Sequence, residues 1–184
     1  SGALTLEDGA KIAALRSQAL RTLSGTGGMA SLPLGPEHTT TLLQPWADQL
    51  SIAAHNGPHT TVIAGDAEAL NQLLTHCEDK EIRARRIDVD YASHTHHIDT
   101  LKTHLNSTLT GIEPRPSTIP FYSTITGTTH DTTQLTGDYW YTNLRQPVRL
   151  THATQHAHTQ GHTAYIEISP HPILTPALHD TLEP

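Results

Sequence analysis

The sequence predicts an α/β protein in two interleaved parts. A β-α-β-β-α-β unit over residues 28–89 is inserted between two segments, 1–27 and 90–184, of a second α/β layer. Three observations predict this. Apolar residues recur at helical spacing near the N-terminus and again over residues 66–80. Short apolar runs bounded by Gly and Pro alternate with helical patterns up to residue 89. Beyond it the order of strand and helix changes, with no linker or internal repeat.

The first element is a helix over residues 5–24, capped by Thr5 with Asp8 in the capping-box position. Ile12, Leu15, Ala19, Leu20 and Leu23 form its apolar stripe, Arg16 lies beside the stripe, and GTGG at 25–28 ends it. MASLPL (29–34) reads as a strand and GPEHTTTLLQPW (35–46) as a helix with Pro36 in its first turn. LSIAAH (50–55) and TTVIAG (60–65) are strands joined by the turn signal NGPH. Residues 66–80 form an amphipathic helix capped by Asp66, and IRARRIDV (82–89) closes the unit as a strand. That order is the signature of a ferredoxin-like unit. A helix over 95–109, a Pro-rich connection into a strand near FYS (113–123) and a short helix within 137–147 follow. Then come a helix over 148–160 stopped by Gly161, a strand TAYIEIS (163–169), and a turn and last helix over 170–182.

Composition narrows the function classes. The 184 residues suit one medium domain or two small subdomains. Hydrophobic content is 35% and charged content only 16%, so the chain lacks the charge that accompanies disorder. The formal charge of -7 gives no basic field for nucleic acid. The densest basic run is Arg83, Arg85 and Arg86. A strand would set Arg83 and Arg85 on one solvated face, with an anion contact as the lesser alternative. The single cysteine, Cys77, falls in an apolar helical pattern and reads as a core thiol. No stretch is long enough to span a bilayer and no signal peptide opens the chain, so no membrane role and a reducing, cytoplasmic setting are expected.

The chemistry gathers in DYASHTHHIDTL (90–101), where His94, His96 and His97 fall within four residues. Zinc wants three or four ligands, usually with a carboxylate or thiolate among them. A close cluster is expected by chance among 15 histidines, as again at His152, His156 and His158. No metal is therefore expected. The second reading is proton transfer: His94 leaves a strand through a short turn and is displayed at a helix edge, where it can relay a proton for a nucleophile. The third is a plain surface or capping histidine, which spacing alone favours.

Six motifs in order add a resemblance over the whole chain. GGMASL (27–32), NGP…VIAGD (56–66), YASH (91–94), FYST (121–124), YWYTNLRQPVR (139–149) and EISPHPIL (167–174) resemble the acyltransferase domains of modular type I polyketide synthases. These are similar to malonyl-CoA:acyl carrier protein transacylases. The resemblance implies an α/β-hydrolase-like core, 1–27 with 90–184, around the ferredoxin-like unit 28–89. It implies transfer of an extender acyl group from coenzyme A to an acyl carrier protein through a Ser/His ping-pong cycle. His94 matches the catalytic histidine, and Arg16 the arginine that grips the extender carboxylate. Asn143 matches a position whose backbone carbonyl orients the histidine. Tyr91 and Ser93 carry selectivity: YASH resembles methylmalonyl-selecting domains and HAFH malonyl-selecting ones, since Ser in place of Phe opens room beside the α-carbon. An extra methyl is worth only about 1–3 kcal/mol, so the motif biases selection between methylmalonyl-CoA and malonyl-CoA. No tightly bound cofactor is implied. Coenzyme A arrives as the substrate thioester and phosphopantetheine on the carrier protein, and ketosynthase and linker domains are the expected neighbours.

One part of the family pattern is missing. No serine here stands in a GxSxG frame, so the GHSxGE nucleophile is expected in a segment before Ser1, with the chain matching about the last two thirds of the domain. By itself the chain is expected to transfer no acyl group at a useful rate and to expose apolar surface along the Leu15/Leu20 helix. The alternative function is a non-catalytic docking module derived from such a domain.

Overall fold

The computed structural model describes residues 1–183. Helix α1 (Leu6–Leu20) starts where expected, because Thr5 Oγ1 accepts the Asp8 N–H at 3.0 Å. Its stripe buries Ile12 and Ala19, with Leu15 and Leu20 half-buried against the same core. A 3-10 turn over Arg21–Leu23 finishes the helix, and Gly25 reverses the chain in the left-handed region at φ 77°.

The central unit has the expected element order. It runs β1 (Gly27–Leu32), α2 (Pro36–Leu42), β2 (Leu50–Gly57), β3 (Thr60–Asp66), α3 (Ala67–Asp79) and β4 (Arg85–Ile87). The strands lie in the order β2-β3-β1-β4, and each neighbouring pair is antiparallel. Period-2 alternation sorts the two faces. Ala30, Leu32, Leu50 and Ile63 point to α3, where Leu70, Leu73 and Cys77 meet them. Met29, Ala53, Val62 and Ala64 point the other way, toward Ala92 and Val148. An irregularity in β2 between Ile52 and Ala54 lets Ala53 and Ala54 share that second face. At the end of β3 only glycine fits: a Cβ on Gly65 would fall 1.9 Å from the Gln49 carbonyl oxygen.

Two expected strands fail here. The strand expected over 82–89 shrinks to Arg85–Ile87, paired with Met29–Ser31 alone. Ile82 and Ala84 pack against the helical core instead of extending the ladder. Arg83 therefore lies outside the strand and shares no strand face with Arg85. The strand expected over 163–169 does not form: no ladder among the described residues includes it. A strand needs a neighbour to take its N–H and C=O groups, and Ile166 and Ile168 stand 83% and 91% exposed.

In the remaining chain, a 3-10 stretch His96–Leu101 leads into α4 (Lys102–Thr108), where one continuous helix was expected. Strands β5 (Phe121–Ser123) and β6 (Thr128–His130) pair as a hairpin. Helices α5 (Gly137–Arg145), α6 (Leu150–Thr159) and α7 (Thr175–Leu182) follow. Ile98, Leu101, Leu105 and Leu144 join the core under α1. The two parts of the chain meet as a short parallel bridge. The His55 N–H donates to Val148 O at 2.7 Å, and the Val148 N–H to Ala53 O at 2.8 Å. Among the described residues no helix is long and apolar enough to cross a membrane.

Candidate active site

His94 stands where the chain turns out of the sheet unit. Its backbone is left-handed, φ 61°, a region that costs a non-glycine residue roughly 1–3 kcal/mol and persists only when its surroundings enforce it. The end of α5 enforces it here. The His94 N–H donates to Leu144 O at 2.9 Å, and Nδ1 lies 2.7 Å from Gln146 O. A carbonyl only accepts, so Nδ1 carries the proton and Nε2 is left as the basic nitrogen. Burial pulls the imidazole pKa below its ordinary value. The Gln146 carbonyl opposes that shift, and the Arg16 charge adds to it. His94 is thus neutral, and a base, at pH 7.

Arg16 faces this histidine from α1. Its guanidinium is half-buried, and among the described residues no carboxylate pairs with it. One N–H donates to Asn143 Oδ1 at 3.2 Å, and the Trp140 ring lies 5.8 Å from its central carbon. Burial lowers its pKa, with Tyr139 and Tyr91 working in the other direction. An arginine keeps its charge in proteins, so the cleft holds a desolvated cation with most of its five donors unused.

The other expected site residues are placed differently. Asn143 does not orient His94; the carbonyl at Nδ1 belongs to Gln146, and Asn143 serves Arg16 through its side chain. The reason is local. Gln146 precedes Pro147, which holds it extended at ψ 152° and turns its carbonyl away from the helix. Tyr91 is half-buried against the α1 core and lines a cleft of about 360 Å³ with Ser17, Leu20, Arg21, Ser24 and Asp90. Ser93 is 8% exposed, and its hydroxyl donates to Met29 Sδ at 3.3 Å. His96 is exposed, as a solvent-facing residue would be. His97 is not: its Nε2 lies 2.7 Å from Asp66 Oδ1, and its side chain is only 10% exposed. Sequence reading missed Gln146, Trp140 and Asp66. The Gln-Pro step was the available signal for the first; nothing local announced the other two.

The arrangement offers a neutral, oriented base beside an unpaired cation. It suits a substrate that carries a carboxylate near an atom undergoing proton-coupled attack.

Comparison with known proteins agrees in kind. The acyl transferase domain model matches residues 1–184. The polyketide synthase GfsA of Streptomyces halstedii is 46% identical over 183 residues, which cover 100% of this chain and 2% of that protein. The acyltransferase domain from module 8 of the salinomycin polyketide synthase superposes with a TM-score of 0.95 at 42% identity, over 99% of this chain and 43% of that one. The malonyl-CoA:acyl carrier protein transacylase of Xanthomonas oryzae gives 0.87 at 26% identity, over 98% of this chain and 59% of that one. The chain thus spans a small fraction of that curated relative and about half of these solved domains.

Proposed function

This chain belongs to the acyl transferase domain family, among the acyltransferase domains of polyketide synthases, and we propose that it selects a carboxylated extender, methylmalonyl-CoA ahead of malonyl-CoA, for transfer to an acyl carrier protein. The observation that carries this reading is Arg16, a half-buried cation without a carboxylate partner, set beside His94. A planar guanidinium grips a carboxylate through two parallel hydrogen bonds, each worth about 1.5–3 kcal/mol when charged. Tyr91 and Ser93 supply the bias toward the methyl-bearing extender.

In the cycle we propose, a serine outside these 184 residues attacks the thioester carbonyl while His94 Nε2 takes its proton. The proton then leaves with the coenzyme A thiol. The carrier's phosphopantetheine thiol gives its own proton to His94, attacks the acyl-serine ester, and the serine recovers the proton. Residues 28–89 are read as a ferredoxin-like insert in an α/β-hydrolase-like core formed by 1–27 and 90–184; the strand order β2-β3-β1-β4 supports the insert. Ketosynthase and linker neighbours and a cytoplasmic setting complete the reading. A purely docking role is less favoured, since a scaffold has no use for a desolvated arginine or a tautomer-locked histidine.

The test compares binding of methylmalonyl-CoA and propionyl-CoA to the 184-residue chain by calorimetry. The two ligands differ only in the carboxylate. One retained charge-assisted bond gives methylmalonyl-CoA an advantage of about tenfold or more, and Arg16→Ala erases it. Equal affinities in the unaltered chain would overturn the assignment of Arg16.

A further inference from the structure

We propose that Asp66, His96 and His97 form a site for a divalent transition metal of the zinc class, stapling the β3–α3 junction to the turn that carries His94. From the sequence alone no metal is expected, and no carboxylate is assigned to this cluster. The fold supplies one from thirty residues upstream. Asp66 ends β3, its side chain makes no capping bond to α3, and Oδ1 lies 2.7 Å from His97 Nε2. The His96 and His97 rings stand edge to face with centroids 4.7 Å apart. One ligand atom from each of the three residues falls within 4.8 Å of the other two.

The donor set fits. Two imidazole nitrogens and one carboxylate oxygen are a common three-ligand shell for zinc, leaving a position for water. Tetrahedral bonds of about 2.0–2.2 Å set ligand atoms roughly 3.3 Å apart. The Asp66–His97 pair therefore opens by about 0.6 Å as the metal replaces the shared proton. His96 is exposed, and the Asp66 side chain is 41% exposed, which gives the ion a path from solvent. His97 is held between them and fixes the geometry. Because His96 and His97 follow His94 by two and three residues, an occupied site ties the base-bearing turn to the sheet unit. This inference does not depend on the acyl-transfer reading.

The test titrates the tag-free 184-residue chain with Zn²⁺ by calorimetry at pH 7.5, and with Co²⁺ by visible absorption. The expected result is one equivalent bound with the intense d–d bands of a four-coordinate site. His96→Ala and Asp66→Asn, one exposed and one isosteric change, should each weaken that equivalent at least tenfold. His152→Ala/His156→Ala, the control for the second histidine cluster, should leave it unchanged. Saturating Zn²⁺ should raise the unfolding temperature of the unaltered chain and not of His96→Ala. Absence of a one-equivalent site overturns the proposal. So does a site that survives both His96→Ala and Asp66→Asn, or one that is lost only in the control.

Discussion

A histidine works as a base at neutral pH only if it is unprotonated and correctly turned; the end of α5 turns His94, and its burial beside Arg16 keeps it unprotonated. The Gln146 carbonyl fixes the tautomer, and burial with the Arg16 charge keeps the pKa below the ordinary 6.5. His55 is depressed in the same way, by burial first and then by His152 and Arg149. For both, the unfolded chain binds protons more readily than the folded one, so stability rises with pH. Their contribution is complete above the unfolded pKa and is lost as pH falls through the folded value. Melting curves from pH 8 to pH 5 should therefore show a falling Tm. NMR titration should place both imidazoles below the ordinary 6.5, and His94→Gln should flatten part of the acid limb. If His94 titrates at or above 6.5, its neutral role fails. The YASH resemblance pointed to His94; what holds it was not legible in the sequence. The carbonyl acceptor differs by three residues from the expected Asn143, because backbone direction at a pre-proline position is set by ψ and leaves little trace in side-chain pattern.

At the scale of elements, some local chemistry was readable where one segment contains both partners of an interaction, though Asp66 makes no capping bond to α3. Thr5 capping Asp8 and the alternation in β1 and β3 are of this kind. Partners across a turn were not. Glu167 was noticed only as part of EISPHPIL, yet it builds the start of α7. Its carboxylate accepts the N–H groups of Ile173, Leu174 and Thr175 at 3.0–3.1 Å, and hydroxyls of Thr175 and Ser169 at 2.9 Å. Desolvation works against ionisation, but the Leu174 N–H and its companions win and hold the pKa at about 2. The folded value lies below the ordinary 4.5, so this support is complete above pH 4.5 and disappears as pH falls through about 2. Glu167→Gln should fray α7 at pH 7, seen as faster amide exchange at Leu174, Thr175, Ala177 and Leu178, and should make those rates insensitive to pH once intrinsic exchange is corrected. Exchange unchanged by the substitution would remove Glu167 from that role.

For the whole molecule, bonds that join the two parts include the Ala54–Val148 bridge, Thr151 Oγ1 donating to His55 O at 3.1 Å, Ser93 Oγ donating to Met29 Sδ, and His97 against Asp66. The β-α-β-β-α-β order was legible because each of its elements carries its own period. The segment 163–169 has strand composition too, but composition cannot provide a neighbour, and the chain leaves its apolar side chains in solvent. The apolar exposure expected on α1 is found at its first residue, Leu6, rather than along its stripe, and more lies near the C-terminus. Leu15 and Leu20 are half-buried, whereas Leu6, Ile166, Ile168 and Ile173 are each more than 70% exposed. Exposed β-branched residues on an unpaired extended run invite pairing between chains. The 184-residue chain should thus self-associate as its concentration rises, by sedimentation velocity, and bind a hydrophobic dye. Ile166→Ser/Ile168→Ser should suppress both with little change in Tm, because neither side chain contributes to the core. Self-association that persists in that variant would move the sticky surface to Leu6 or Ile173, and a large fall in Tm would mean that the run is packed rather than bare.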